Sequence, residues 1–333
     1  MACFTGAIPT MGGVNYTVPV PVLKSSLVYR NQQVKIINCN TSDIRILNGS
    51  SDVLGNHTCT IQLRDKDKQK WSDNTTTDKT YTYQVIHEYG FSSPYLTDAL
   101  MKQVVQAADL GEIDLYEDYG WRVGDKRPID LSAVTGQSAL STNLVLLHRG
   151  DIRLTTPVKN KDKTTRNNCS FVVGLETVLN NAMVLNSTAS GSVTWANCGL
   201  RTFLNGTFKG MFNSDVLACF KSFVTKYPTD YTAESTVSTC NDTFAIPAIK
   251  QVFNAAAHNN AREVDALSNE LVRFTYFETA ANIPPVPASS SDFVWLISQT
   301  RGDSRGVFNS ILNRAGSYTG ATSPAKVYPY GVF

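Results

Sequence analysis

A chain of 333 residues with 30 basic against 28 acidic side chains, formal charge +2, has no basic excess of the kind that tracks a nucleic-acid backbone. At 42% hydrophobic and only 17% charged residues, it can bury a core in each of two domains, and its many Ser, Thr, Asn and Gly residues suit β-rich, loop-rich folds. No apolar stretch is long enough for a membrane span, and Met1 to Thr10 lacks a basic segment followed by an apolar one, so a soluble, cytoplasmically made chain is expected.

Residues 1–14 precede the first strand pattern and are assigned as a docking arm, since a free terminus frays unless an assembly holds it. From Tyr16 to Val22 the residues alternate, and Pro19 and Pro21 remove ladder donors on one side, which predicts an edge strand. Short strands are predicted at Val34–Ile37, Ile44–Leu47 and Thr58–Leu63. A charged loop over Arg64–Lys70 and a turn at Trp71–Thr76 lead into Tyr81, Tyr83 and Val85 at strand spacing. Short strands with regular turn signals make residues 15–88 a small β-sandwich.

Residues 89–112 form a linker and a helix. Leu100, Met101, Val104, Val105 and Ala108 recur at helical spacing between Thr97, a suitable N-cap, and Gly111, which predicts a helix over Asp98–Asp109. Beyond it, Tyr119–Asp125 and Ile129–Leu131 read as a hairpin, and Leu144–Leu147 as a buried strand. Further helices are predicted over Asn197–Asn205, Ser214–Phe223 and Ala248–Ala257. Pro284, Pro285 and Pro287 open a loop before a strand at Phe293–Ile297, and the chain closes on an aromatic tail, Val327–Phe333. Early helices and late irregular strands predict an α+β domain over 113–333, so the chain is α+β overall with an all-β N-terminal part.

The seven cysteines Cys3, Cys39, Cys59, Cys169, Cys198, Cys219 and Cys240 contain no C-x-x-C pair, which excludes the usual zinc spacing and predicts buried free thiols. Cys39 and Cys59 facing each other across strands is the alternative. Acceptor patterns for N-glycosylation, such as Asn40-Thr41-Ser42 and Asn205-Gly206-Thr207, are expected by chance in so Asn- and Thr-rich a chain. No catalytic motif is present, and His57, His87, His148 and His258 fall in unrelated segments, read as surface or satisfied interior residues. Glu112, Asp114, Glu117 and Asp118 form the densest acidic cluster, suited in principle to Ca²⁺ or to a glycosidase pair. Their alternation with Ile113, Leu115 and Tyr116 reads instead as the solvated side of a strand or turn. No catalytic residue, metal or cofactor is therefore assigned. Arg301-Gly302-Asp303-Ser304 is read as a polar turn.

The run Trp71-Ser72-Asp73-Asn74-Thr75-Thr76-Thr77-Asp78-Lys79, with the strand after it, resembles the last hairpin of Ig-like modules in phage and prophage structural proteins, a likeness extending over Val18 to Ile86. Residues from about Ile113 to Phe333 resemble a domain of unknown function, DUF6273, of prophage-encoded proteins. The runs Gly120–Asp125, Cys169–Leu175, Asn186–Asn205, Asp242–Ala248, Phe293–Ser298 and Tyr328–Phe333 carry this likeness. The ending is similar to formylglycine-generating-enzyme-like and C-type-lectin-like domains, departing from the usual pattern at Ile297-Ser298-Gln299.

These resemblances imply a non-enzymatic bacteriophage virion protein, a tail-associated adhesin for host attachment or a capsid decoration. Its expected partners are other virion proteins, further copies of itself as a homo-oligomer, and host cell-surface carbohydrate. The implied binding face is the polar crossing after the tryptophan strand: Trp295, Gln299, Arg301, Asp303, Arg305, Asn309 and Tyr318. Arg and Tyr there combine flat apolar area with hydrogen bonding. A tail depolymerase using Glu117 and Asp118, and a prophage-derived bacterial binding protein, are the alternatives.

Overall fold

The computed structural model describes residues 2–4, 7–8, 16–17, 44–48, 55–65, 70–71, 79–85, 89–187, 194–229, 236–253, 257–258, 261–262, 271–283, 294–299, 305–309, 314–318 and 325–333. The chain divides into two compact units, Met1–Thr97 with Tyr116–Gly120, and Asp98–Leu115 with Trp121–Phe333. Helices and antiparallel strands are mixed in an α+β arrangement.

In the first unit the described strands are β1 (Ala2–Phe4), β2 (Ala7–Ile8), β3 (Tyr16–Thr17), β4 (Ile44–Asn48), β5 (Gly55–Asp65), β6 (Lys70–Trp71) and β7 (Lys79–Val85). One sheet runs β1-β7-β5-β4, with β6 also paired to β5. The strands predicted over Thr58–Leu63 and at Tyr81, Tyr83 and Val85 face each other, with Cys59 opposite Tyr81 and Thr58 opposite Thr82. The start of the segment assigned as a docking arm forms β1, with Ala2 opposite Val85 and Phe4 opposite Tyr83. Arg64 pairs with Trp71 and Asp65 with Lys70, so both ends of the charged run lie in paired strands. The strand expected at Val34–Ile37 and the Cys39 partner of the alternative disulfide lie outside the described residues.

The second unit begins with α1 (Asp98–Asp109), whose Met101, Val104, Val105 and Ala108 are buried on one face, as the helical spacing requires. It stops where the Gly111 and Glu112 amides bond back to the carbonyls of Ala108 and Ala107. Its main sheet is β20-β12-β9-β8, from β8 (Lys126–Leu131), β9 (Leu140–Arg149), β12 (Phe171–Leu175) and β20 (Tyr330–Val332). Leu144–Leu147 are buried without alternation, as in a strand covered on both faces. A second sheet is β11-β10-β13-β14, from β10 (Arg153–Lys159), β11 (Thr165–Asn168), β13 (Phe223–Pro228) and β14 (Val237–Asp242). The helices α2 (Gly199–Asn205), α3 (Ser214–Leu217) and α4 (Ile249–Phe253) are short. Then come β15 (Ala257–His258), β16 (Ala261–Arg262) and the meander β17 (Val294–Gln299), β18 (Arg305–Asn309) and β19 (Arg314–Tyr318).

Three expectations are corrected. Tyr119–Asp125 is not half of a hairpin: β8 pairs with β9, and Asp125 folds the preceding run into a turn by accepting the Arg122 amide at 2.8 Å. Gly124 there has φ +94, which an extended strand forbids. The helix expected over Ser214–Phe223 ends at Leu217. The Lys221 amide bonds the Val332 carbonyl and Phe223 opens β13, because pairing with Asp242 of β14 outweighs local helical spacing. The helix expected over Ala248–Ala257 is described only as far as Phe253, and Ala257 pairs with Arg262 in β15 and β16.

The aromatic tail is buried inside its own unit, with Val332 opposite Val172. Phe208, Phe212, Phe220 and Phe244 cluster beneath it. A Cβ at Gly331 would lie 2.6 Å from the Phe220 ring and 3.0 Å from the Thr243 carbonyl, so neither a rotamer change nor a small shift makes room. Gly331→Ala is expected to cost about 1–3 kcal/mol through overpacking, read as a lower urea midpoint with unchanged slope. Cys169, Cys198, Cys219 and Cys240 are free, and burial pushes the Cys169 and Cys219 thiols up to about 12, as for an inert core thiol. Among the described residues no helix is long and apolar enough to cross a membrane.

Candidate functional site

Trp295 and Gln299 lie on β17, Arg305 and Asn309 on β18, and Tyr318 on β19. Register brings three of them into one row: Gln299 is opposite Arg305, and Arg305 is opposite Tyr318. With strands about 4.8 Å apart, such a row spans roughly 10 Å. The other two stand elsewhere, Trp295 opposite Val307 and Asn309 opposite Arg314. A register shift between Trp295 and Gln299 separates the apolar part of β17, where Val294, Leu296 and Ile297 are buried, from its polar end. Arg301 and Asp303 lie outside the described residues.

Ile297 of β17 also borders a cleft of about 190 Å³, lined further by Asp151, Arg153, Thr225, Gln251 and Tyr330. Its ingredients come from separate elements. Asp151 sits in the tight connection from β9 to β10 at φ 63, a left-handed conformation that aspartate tolerates better than most residues. Thr225 is a buried position of β13. Gln251 of α4 accepts the Ala248 amide at 2.9 Å and hydrogen-bonds Tyr330, whose hydroxyl burial pushes far up.

The rim is held by His148. One ring nitrogen, Nε2, lies 2.8 Å from Asp151 Oδ2, and the other, Nδ1, accepts the Thr275 amide at 3.2 Å with the Thr275 hydroxyl at 2.9 Å. The amide fixes the tautomer: Nδ1 accepts and Nε2 donates to the carboxylate. Hydroxyl, imidazole and carboxylate in line are the parts of a nucleophilic triad. Here, however, the basic lone pair already serves a backbone amide, and stacking on Phe274 at 5.9 Å makes the imidazole a strut between two loops.

Sequence reading passed over His148 because Thr275 is 127 residues away. It passed over Asp242 as well. The fully buried Asp242 carboxylate accepts Trp195 Nε1 at 2.8 Å, Arg201 Nε at 2.7 Å and Asn205 Nδ2 at 3.1 Å. Asn205 Oδ1 in turn accepts the amides of Thr243 and Phe244. The Trp195–Asn205 and Asp242–Ala248 runs thus meet in a structural hub.

Glu112 and Asp114 belong to the larger unit, Glu117 and Asp118 to the smaller. Among the described residues no group of three or more His, Cys, Asp or Glu side chains is placed to hold a metal ion. No family model, curated protein or solved structure matches the chain.

Proposed function

We propose that the chain is a non-enzymatic bacteriophage virion protein. In this reading an Ig-like module over 15–88 mounts a C-type-lectin-like domain over 113–333, and the polar end of the β17–β19 meander contacts a host-surface glycan or a neighbouring virion protein. The observation that carries the binding part is the cross-strand row Gln299, Arg305 and Tyr318, residue types that hydrogen-bond and stack on flat surfaces. The virion part rests on the sequence runs around Trp71, Trp121 and Trp195.

The test is binding of the full chain to host cell envelopes and to a glycan array. Arg305→Ala and Tyr318→Ala are each expected to weaken binding about tenfold or more, the loss of a central contact worth roughly 1.4–2 kcal/mol. Binding that survives both replacements overturns the proposal. Labelling the protein in intact particles by electron microscopy tests the virion assignment, and a native mass tests the homo-oligomer.

A further inference from the structure

We infer that the cleft beside Ile297 takes a hydroxylated carboxylate about the size of one sugar ring, a uronic acid unit being the form in which a surface glycan offers it. Its volume of about 190 Å³ sets the size. That is far more than the ~10–15 Å³ one water needs, and less than the roughly 300–1,000 Å³ of sites for drug-sized ligands or larger cofactors.

Hydroxyl recognition follows from Thr225. It is only 3% exposed, and its Oγ1, itself almost without accessible surface, has no hydrogen-bond partner among the described residues. An unpaired buried hydroxyl is a standing cost to the fold, which a ligand hydroxyl relieves when Thr225 turns about χ1 and exchanges its methyl for Oγ1 at the cleft surface. The other buried polar groups of the cleft are engaged with each other, Gln251 with the Ala248 amide and with Tyr330. Thr225 therefore carries the unpaired hydroxyl that borders the cleft.

Charge supplies the carboxylate. Asp151 is held by His148, whereas the exposed Arg153 guanidinium has no hydrogen bond or ion pair among the described residues, and Lys226 adds a second cation to the lining. A guanidinium fork pairs two-pronged with a carboxylate. Leu271 and Ile297 offer the apolar wall that the C–H face of a sugar ring needs. The glycan source rests on the binding reading above, but the cleft residues are distinct from Arg305 and Tyr318.

The experiment measures binding of glucuronate, galacturonate, glucose and citrate to the full chain by saturation-transfer NMR and thermal shift, with Thr225→Val and Arg153→Ala as variants. A uronic acid is expected to bind at least tenfold more tightly than glucose. Arg153→Ala should weaken it tenfold or more. Thr225→Val keeps the shape, so it should weaken uronate binding several-fold while raising the melting temperature of the free protein. Uronic acids binding no better than glucose, or binding Thr225→Val as well as the parent chain, overturn the inference. Citrate binding as tightly as the uronic acids, with the same loss in Arg153→Ala, upholds the carboxylate site and assigns it to a free hydroxy acid instead of a glycan. Because the envelope test uses Arg305 and Tyr318, failure here and failure there are separable.

Discussion

Replacing Phe244 by alanine is expected to destabilise the larger unit by about 3–5 kcal/mol, the cost of emptying a well-filled aromatic site. Like Phe212, Phe244 meets all three other rings of the cluster. Its centroid lies 5.0 Å from Phe208, 5.2 Å from Phe212 in a parallel stack, and 4.7 Å from Phe220. Phe220 continues to the C-terminal Phe333 at 4.9 Å, so the cavity opens against the strand that closes the main sheet. Surrounding rings sit on hydrogen-bonded turns, Phe208 and Phe212 after α2 and Phe220 between α3 and β13, so they collapse poorly into the space. Against a total stability of about 5–15 kcal/mol this is a large fraction. Hydrogen exchange of the β12 amides should speed up by roughly a hundredfold or more. Phe203→Ala, half-buried at the edge of the cluster 6.2 Å from Phe208, should cost well under half as much. Equal losses at the two sites would show that Phe244 has no special place.

The elements that local pattern dictates were legible. The α1 face is one stripe of Met101, Val104, Val105 and Ala108, and Leu144–Leu147 is a run that only a doubly covered strand accommodates. Where the reading failed, a distant partner or a side-chain competitor won. Phe220 and Phe223 continue a helical spacing, yet Phe223 pairs with Asp242 in β14. Tyr119, Trp121 and Val123 have strand propensity, yet the Asp125 carboxylate takes the Arg122 amide and turns the chain.

Residue type pointed to Gln299, Arg305 and Tyr318, but their alignment depends on the registers of two strand pairings. The cleft was not legible. Asp151, Thr225, Gln251 and Ile297 come from four segments, none with a motif of its own, and only the packing of β13, α4 and β17 gathers them.

Asp242→Ala is expected to cost about 3–5 kcal/mol, as when one member of a buried ion pair is removed and its partners stay behind. The loss is not that of a single salt bridge. Trp195 Nε1 and Arg201 Nε lose their acceptor at once, and Asn205 Nδ2 is left with the carbonyls of Arg201 and Phe244, in a place where the carboxylate itself has no exposed surface. Arg201 keeps the carbonyls of Ala196 and Asn241, which limits its penalty. Trp195 has no such reserve among the described residues, so its indole should report the change as a red-shifted emission before global unfolding. Asp242→Asn retains the shape but turns an amide N–H₂ toward donors, and is expected to cost about 1–3 kcal/mol. Asp215→Ala removes the Lys102 pair, in which both side chains are 36% exposed, and should cost no more than about 1 kcal/mol. Urea midpoints lowered most by Asp242→Ala, less by Asp242→Asn and least by Asp215→Ala separate a buried hub from a surface pair. An Asp242→Asn variant as stable as the parent would mean that acceptor geometry alone, without the charge, holds the Trp195 and Phe244 segments together.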